Sequence, residues 1–153
     1  MKIKVLFVCL GNICRSAMAE GILKHKVETE GLNVFVDSAG TSNYHIGDSP
    51  DIRMQNKATE HGLSISNQKG RQFVVSDFDK FDIIYAMDNS NYNNIISLAR
   101  DENDRTKVRL ILNEIFPGEN LDVPDPYTGG IQGFDSVYRM LDEACELISK
   151  KIV

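Results

Sequence analysis

Apolar residues follow two rhythms along this chain. Short unbroken runs, such as Val5-Leu6-Phe7-Val8 and Ile83-Ile84-Tyr85-Ala86, alternate with stretches where apolar positions recur every three to four residues. Unbroken runs of this length read as strands, and the longer rhythm reads as amphipathic helices. The pattern predicts strands over Ile3–Val8, Val34–Ser38, Ile83–Ala86 and Val108–Leu112. A helix is predicted over Ser16–Glu30, with Ala19, Ile22, Leu23 and Val27 on one face and Gly31 as its stop. Ser49-Pro50-Asp51 starts another, running to His61-Gly62. A third opens at Ser90 or Asn91 and turns Tyr92, Ile95, Ile96 and Ala99 to one side. The last, Phe134–Lys151, carries Phe134, Val137, Tyr138, Leu141, Cys145 and Ile148 as a stripe. Between these lie a polar loop over Ala39–Asn43, a charged stretch Asp101–Arg105 that reads as a solvated turn, and a long Pro- and Gly-rich loop over Pro117–Gly133. Strands alternating with helices predict an α/β fold around a parallel sheet.

Composition narrows the class. The 153 residues are 42% hydrophobic, with no repeat, low-complexity segment or linker, which fits one domain over 1–153. A net charge of −5 argues against nucleic acid or an anionic membrane as partner. No segment approaches the roughly 18 apolar residues of a membrane span. Met1-Lys2-Ile3-Lys4 leads straight into strand residues without a signal-peptide pattern, so a cytoplasmic location is expected. Three cysteines make neither a disulfide scaffold nor, with scattered His25, His45 and His61, a zinc site. Cys145 falls on the apolar stripe and reads as core.

The chemistry concentrates directly after the first strand, in Cys9-Leu10-Gly11-Asn12-Ile13-Cys14-Arg15-Ser16. In open α/β sheets, ligands bind beyond the carboxyl ends of the strands where strand order reverses. In a four-stranded sheet ordered 2-1-3-4 that point lies beside strand one, where this loop begins. Loop amides and a helix N-terminus make an anion site, and such a field lowers a thiol pKa from about 8.5 toward ~3.5–7.5. Gly11 and Asn12 are residue types that tolerate a left-handed backbone. Arg15 can hold two phosphate oxygens through its planar fork. Ser16 can cap the helix and also donate to the Cys9 sulfur. The pattern points to phosphoryl chemistry on Cys9.

A thiolate and an arginine do not readily expel an alkoxide or phenoxide, so a proton donor is needed. Asp125, in Val123-Pro124-Asp125-Pro126-Tyr127, is the candidate, because the long loop should reach the same sheet edge and its prolines stiffen the backbone. A plain Pro-Asp-Pro turn is the competing reading.

The cysteine loop together with Asp125-Pro126-Tyr127 resembles the low-molecular-weight protein tyrosine phosphatases. The resemblance covers essentially the whole chain, including Asp37-Ser38-Ala39-Gly40-Thr41 and Ala86-Met87-Asp88. It implies a three-layer sandwich, a four-stranded parallel sheet with helices on both faces, and no metal or cofactor. It assigns Cys9 as nucleophile, Arg15 as phosphate clamp and Asp125 as general acid, then base. Leu10, Gly11, Asn12, Ile13, Cys14 and Ser16 fall in the phosphate-binding loop. Asn12 and Ser16 match positions that order the loop and stabilise the thiolate, and Tyr44 and Tyr127 match aromatic walls around a phenyl ring. Ile13 stands where the related arginine phosphatases resemble each other in having threonine, which favours phosphotyrosine. Cys14 matches a position able to form a disulfide with the nucleophile. Thr128 replaces a second aromatic, and Asn67 replaces a histidine that braces the loop asparagine. The implied partners are phosphotyrosine-containing proteins, with inorganic phosphate as product, and neither nucleic acid nor membrane.

Rival readings fit less well. A thiol redox enzyme of the arsenate-reductase type needs two further relay cysteines, and only Cys145 follows in the chain. A phosphocarrier must protect its phosphocysteine, which an arginine clamp and acid loop would not do. A silent phosphate-binding module has no use for Cys9, Arg15 and Asp125 together. No G-x-G-x-x-G or Walker loop follows strand one, against nucleotide binding.

Overall fold

A computed structural model describes residues 2–126 and 130–152. Its centre is a four-stranded parallel sheet of β1 (Ile3–Cys9), β2 (Val34–Gly40), β3 (Ile83–Ala86) and β4 (Val108–Leu110), in spatial order β2-β1-β3-β4. That is the order expected from the sequence. The helices are α1 (Arg15–Glu30), α2 (Ile52–Glu60), α3 (Asp77–Lys80), α4 (Asn89–Ser97), α5 (Glu102–Lys107) and α6 (Gly130–Lys151), with a 3-10 turn at Ile111–Glu114.

Strand alternation explains why β1 is apolar throughout. Val5 and Phe7 face a core closed by Leu23 of α1, Met54 of α2 and Phe134 and Leu141 of α6. Leu6 and Val8 face a second core with Phe78 of α3 and Ile95 of α4. A parallel sheet covered on both faces buries both residue sets, so no polar alternation survives. Each large side chain fully removed from water contributes on the order of 1.5–3 kcal/mol, and Phe7 stacks on Tyr85 of the neighbouring strand at 5.8 Å.

Several boundaries differ from the expected ones for physical reasons. β2 continues through Ala39 and Gly40, because Gly40 stays in register with Cys9 and also bridges Gln72. The charged stretch after Arg100 is a helix: Asp101 accepts from the Asp104 N–H and caps α5, and the buried Asp104 carboxylate pairs with Arg100 at 2.8 Å. α3 was not expected, being too short for periodicity to reveal. β4 ends at Leu110 and passes into the 3-10 turn. α6 begins at Gly130, so the loop before it is shorter than Pro117–Gly133. Gly31 does end α1, in the left-handed conformation at φ 67°.

Candidate active site

The strand order reverses between β2 and β3, beside the tip of β1. Cys9 ends that strand, and residues 10–14 turn back into α1. Four carbonyls around this turn are drawn outward. Thr41 N–H donates to Cys9, Ser42 to Leu10, Asp51 to Ile13 and Met18 to Cys14. Across a trans peptide the N–H points opposite to the C=O. The N–H groups of Leu10, Gly11, Cys14 and Arg15 therefore turn away from those acceptors, toward the inside of the loop. This is how a loop becomes an anion cradle.

Space and backbone explain the small residues. Asn12 takes φ 59°, a left-handed conformation its short side chain tolerates. Gly11 is not left-handed; a Cβ there would meet the half-exposed His45 ring at 2.8 Å, which would have to move aside. A Cβ on Gly40 would meet the Leu10 carbonyl at 2.8 Å, so β2 packs directly on the loop backbone.

A cleft of about 250 Å³ opens above the loop, lined by Cys9, Leu10, Gly11, Ile13, Cys14, Arg15, Tyr44, His45 and Asp125. Sequence-selected residues separated by more than a hundred positions thus meet in one cavity. Arg15 is 3% exposed. Its Nη1 donates to Asp88 Oδ2 at 2.7 Å and to the Val123 carbonyl at 2.9 Å. Its Nη2 lies 3.9 Å from Asp125 Oδ2. Burial disfavours the guanidinium charge, yet Cys9, Asp88 and Asp125 outweigh it and raise the arginine above its ordinary value. The loop carrying Asp125 is tied down two residues before it: Val123 is fully buried, and its N–H donates to the carbonyl of Met87, just after β3.

These features identify the kind of protein. A family model described as low molecular weight phosphotyrosine protein phosphatase matches residues 4–153. The chain belongs to that family. The Saccharomyces cerevisiae low molecular weight phosphotyrosine protein phosphatase is 42% identical over 155 residues, covering 98% of this chain and 95% of its own length. The crystal structure of YfkJ from Bacillus subtilis superposes with a TM-score of 0.92 at 37% identity, covering 99% of this chain and 95% of that one. The Drosophila arginine phosphatase structure gives a TM-score of 0.90 at 39% identity, covering 97% of each chain. The chain is accordingly an enzyme of the low-molecular-weight phosphatase family.

Within the phosphatase, Ser16 does not cap α1. The cap position is Cys14, without a side-chain bond, and Ser16 sits inside the first turn with its Oγ 3.0 Å from Cys9 Sγ. Asn12 Nδ2 donates to Ser16 Oγ and to Ser38 Oγ, each at 2.9 Å, while its Oδ1 accepts from the Arg71 N–H at 3.1 Å. Asn67 takes no part in this bracing. It is exposed on another groove, and Arg71 reaches the loop asparagine through its backbone. Burial pushes the Cys14 thiol well above its usual range, and the adjacent Cys9 adds to this. Tyr44 stands at the mouth of the cleft, 73% exposed. Tyr127 and Thr128 lie outside the described residues. Cys145 is fully buried in the core.

Two residues at the site were given no role from the sequence: Asp88, behind Arg15, and His45, in the cleft lining. Asp88 follows β3 and caps α4 through Oδ1, accepting from the Asn91 N–H at 2.7 Å, while Oδ2 holds Arg15. A capping aspartate directly after an apolar strand was the available signal. His45, which lines the cleft and contacts Asp48 at 3.0 Å, carried none beyond following Tyr44.

Proposed function

We propose that the whole chain, 1–153, acts as one cytoplasmic domain that hydrolyses phosphotyrosine in proteins through a phosphocysteine on Cys9. The observation that carries the reading is the convergence of Cys9, Arg15 and Asp125 on one cleft above an anion cradle. The Cys9 sulfur attacks phosphorus, forming the S–P bond as the P–O bond to the tyrosine oxygen breaks. Asp125 gives its proton to that leaving oxygen. Arg15 binds two equatorial oxygens as charge moves onto them, the role in which a bidentate, permanently charged fork is most effective. Asp125, now a carboxylate, takes a proton from water, the water attacks phosphorus, and inorganic phosphate leaves with Cys9 regenerated.

Tyr44, at the mouth of the cleft, receives the phenyl ring, with Tyr127 assigned the same role from the resemblance, and Ile13 in the cleft lining favours that ring over a guanidine. Charge in the site comes from Arg15, Asp125 and the loop amides, so the reaction proceeds without metal or cofactor. Three unpaired cysteines are in keeping with a reducing compartment. Among the described residues no helix is long and apolar enough to cross a membrane.

The test is steady-state hydrolysis of phosphotyrosine, phosphoserine and phosphoarginine peptides by wild type and Cys9→Ser, with chelator present. Expected is turnover of phosphotyrosine alone, lost in Cys9→Ser while phosphate binding is retained. Absence of turnover by freshly reduced wild type, or preference for phosphoarginine, would overturn the reading.

A further inference from the structure

Three consecutive residues just after β3 grip the segment that leads to Asp125. The Met87 carbonyl accepts from the Val123 N–H at 2.8 Å. Asp88 holds Arg15, which donates in turn to the Val123 carbonyl. Asn89 reaches further back along the same segment. Its backbone N–H and its Nδ2 both donate to Asp122 Oδ1, at 2.8 and 2.7 Å, and Nδ2 also donates to the Asn120 carbonyl at 2.9 Å. Asn120, left-handed at φ 54°, is fixed from its other side by Asn113. Asn113 Nδ2 donates to Asn120 Oδ1 at 3.0 Å, and the Asn120 N–H donates back to Asn113 Oδ1 at 2.9 Å.

The chemistry of a helix start explains why Asp122 is held there. Asn89 is the first residue of α4, so its N–H has no partner within the helix. A carboxylate suits that donor, because its hydrogen bonds are charge-assisted and it faces the positive end of the helix. Asp88 satisfies the Asn91 N–H of the same turn from within the chain, and Asp122 satisfies Asn89 from the loop. The loop thereby becomes part of the helix cap. A single bond at Val123 would leave a point about which the chain could pivot. Bonds at successive residues, one exposed at Asp122 and one buried at Val123, fix a direction as well. Pro124 follows, and its ring locks φ near about −65°, so that direction is passed on to Asp125.

We infer that Asn89 and Asp122 are positioning residues for proton transfer, whose clamp keeps the Asp125 carboxyl within reach of the leaving oxygen. The Asp125 side chain is 48% exposed, so its placement depends on the backbone that carries it. A displacement of about 1 Å at a reacting group can cost as much as ~10²-fold in rate. Asp88 and Asn89, adjacent in the chain, thus set the phosphate clamp and the proton donor in one frame.

This role rests on Asp125 being the general acid, as proposed above, and the test separates the two. kcat/KM is measured with an alkyl-substituted phenyl phosphate and a nitrophenyl phosphate for wild type, Asn89→Ala, Asp122→Ala and Asp122→Asn, and for the first two variants in an Asp125→Ala background. Loss of the clamp in Asp122→Ala should lower kcat/KM about five- to tenfold for the alkyl-substituted substrate. The nitrophenyl substrate, which needs the proton least, should lose less than about twofold. Asn89→Ala keeps its backbone N–H and should act in the same direction by less. Asp122→Asn keeps an oxygen that accepts the same hydrogens and should restore most of the loss. In the Asp125→Ala background neither alanine variant should have a further effect. Equal losses on both substrates, a loss that persists without Asp125, or unchanged kinetics in Asp122→Ala would overturn the inference, and a merely structural role would give the first of these together with lower thermal stability. If Asp125→Ala by itself lowered both substrates alike, the acid role would fall and this inference with it.

Discussion

Arg15 donates to Asp88 across 73 positions of sequence, at 2.7 Å, with the arginine buried and the aspartate side chain 19% exposed. One carboxylate performs two tasks. Oδ1 caps α4, and Oδ2 accepts from the Arg15 guanidinium. A long side chain without such an anchor loses rotamer entropy each time it clamps a phosphate, about 2 kcal/mol for a free arginine.

Replacing Asp88 by Asn keeps an oxygen for the cap and removes the charge that pairs with Arg15. The expected result is a roughly tenfold fall in kcat and weaker inhibition by inorganic phosphate, with thermal stability reduced by no more than a lost charged hydrogen bond, about 1.5–3 kcal/mol. Steady-state kinetics with a phosphate inhibition series checks this. Unchanged phosphate affinity would show that Arg15 needs no anchor.

The three cysteines should separate cleanly by reactivity. Burial raises the Cys14 thiol, reinforced by Cys9, Asp51 and Asp125 against the opposing Arg15, and burial likewise raises Cys145. Thiols, not thiolates, then persist at both positions at neutral pH, and thiols alkylate slowly. Native protein treated with a small haloacetamide at pH 7 should take up one equivalent, at Cys9, and inorganic phosphate should protect it. Peptide mapping that found Cys14 labelled at a comparable rate would refute the assignment.

Much of this architecture was legible before any coordinates, and the failures share a cause. The strands were readable because a sheet covered on both faces demands unbroken apolar runs such as Val5–Val8. That Cys9, Arg15 and Asp125 line one cleft could be expected, because the strand-tip rule and the chemistry of phosphate transfer select the same residues. α5 was missed because Arg100–Asp104 pairing and the Asp101 cap hold it, and charges at such spacing look like a turn. Asp88 was named within Ala86-Met87-Asp88, but its hold on Arg15 was not read, because that contact exists only after β1 and β3 have paired. Asn67 stands where the resemblance puts a histidine brace for Asn12, yet the brace is a backbone N–H at Arg71, which has no side-chain signature. Apolar periodicity reports burial against the core; it is silent about polar contacts made at long range.

Asp51 links the loop to stability. Its backbone N–H donates to the Ile13 carbonyl, and its carboxylate caps α2, accepting from the Arg53 N–H at 2.8 Å. Burial alone would raise this carboxylate, but the hydrogen bonds from Arg53 prevail and hold it below its ordinary value. A carboxylate lowered on folding stabilises fully above its unfolded pKa of about 3.9, and this stabilisation is lost as pH falls through the lower folded value. Asp51→Ala should therefore cost about 1 kcal/mol at pH 7. The gap from wild type should narrow as pH falls below the unfolded value of about 3.9. Urea midpoints measured at pH 7 and below that value test the sign, and a gap that widened in acid would contradict it.

The acid role proposed for Asp125 is best examined through the leaving group. Asp125 Oδ2 stands 3.9 Å from Arg15 Nη2, its side chain is 48% exposed, and it lies two residues beyond the buried Val123 anchor. A proton from this carboxyl matters most when the departing oxygen is a strong base and least when it is already a good leaving group. Asp125→Ala should thus lower kcat by about 10²–10⁴-fold for an alkyl-substituted phenyl phosphate. It should lower kcat much less for a nitrophenyl phosphate, and binding of inorganic phosphate should change little. The slope of log kcat against leaving-group pKa should become distinctly steeper in the variant. Parallel slopes for wild type and Asp125→Ala would mean that the carboxyl contributes charge or position, and that the proton comes from elsewhere.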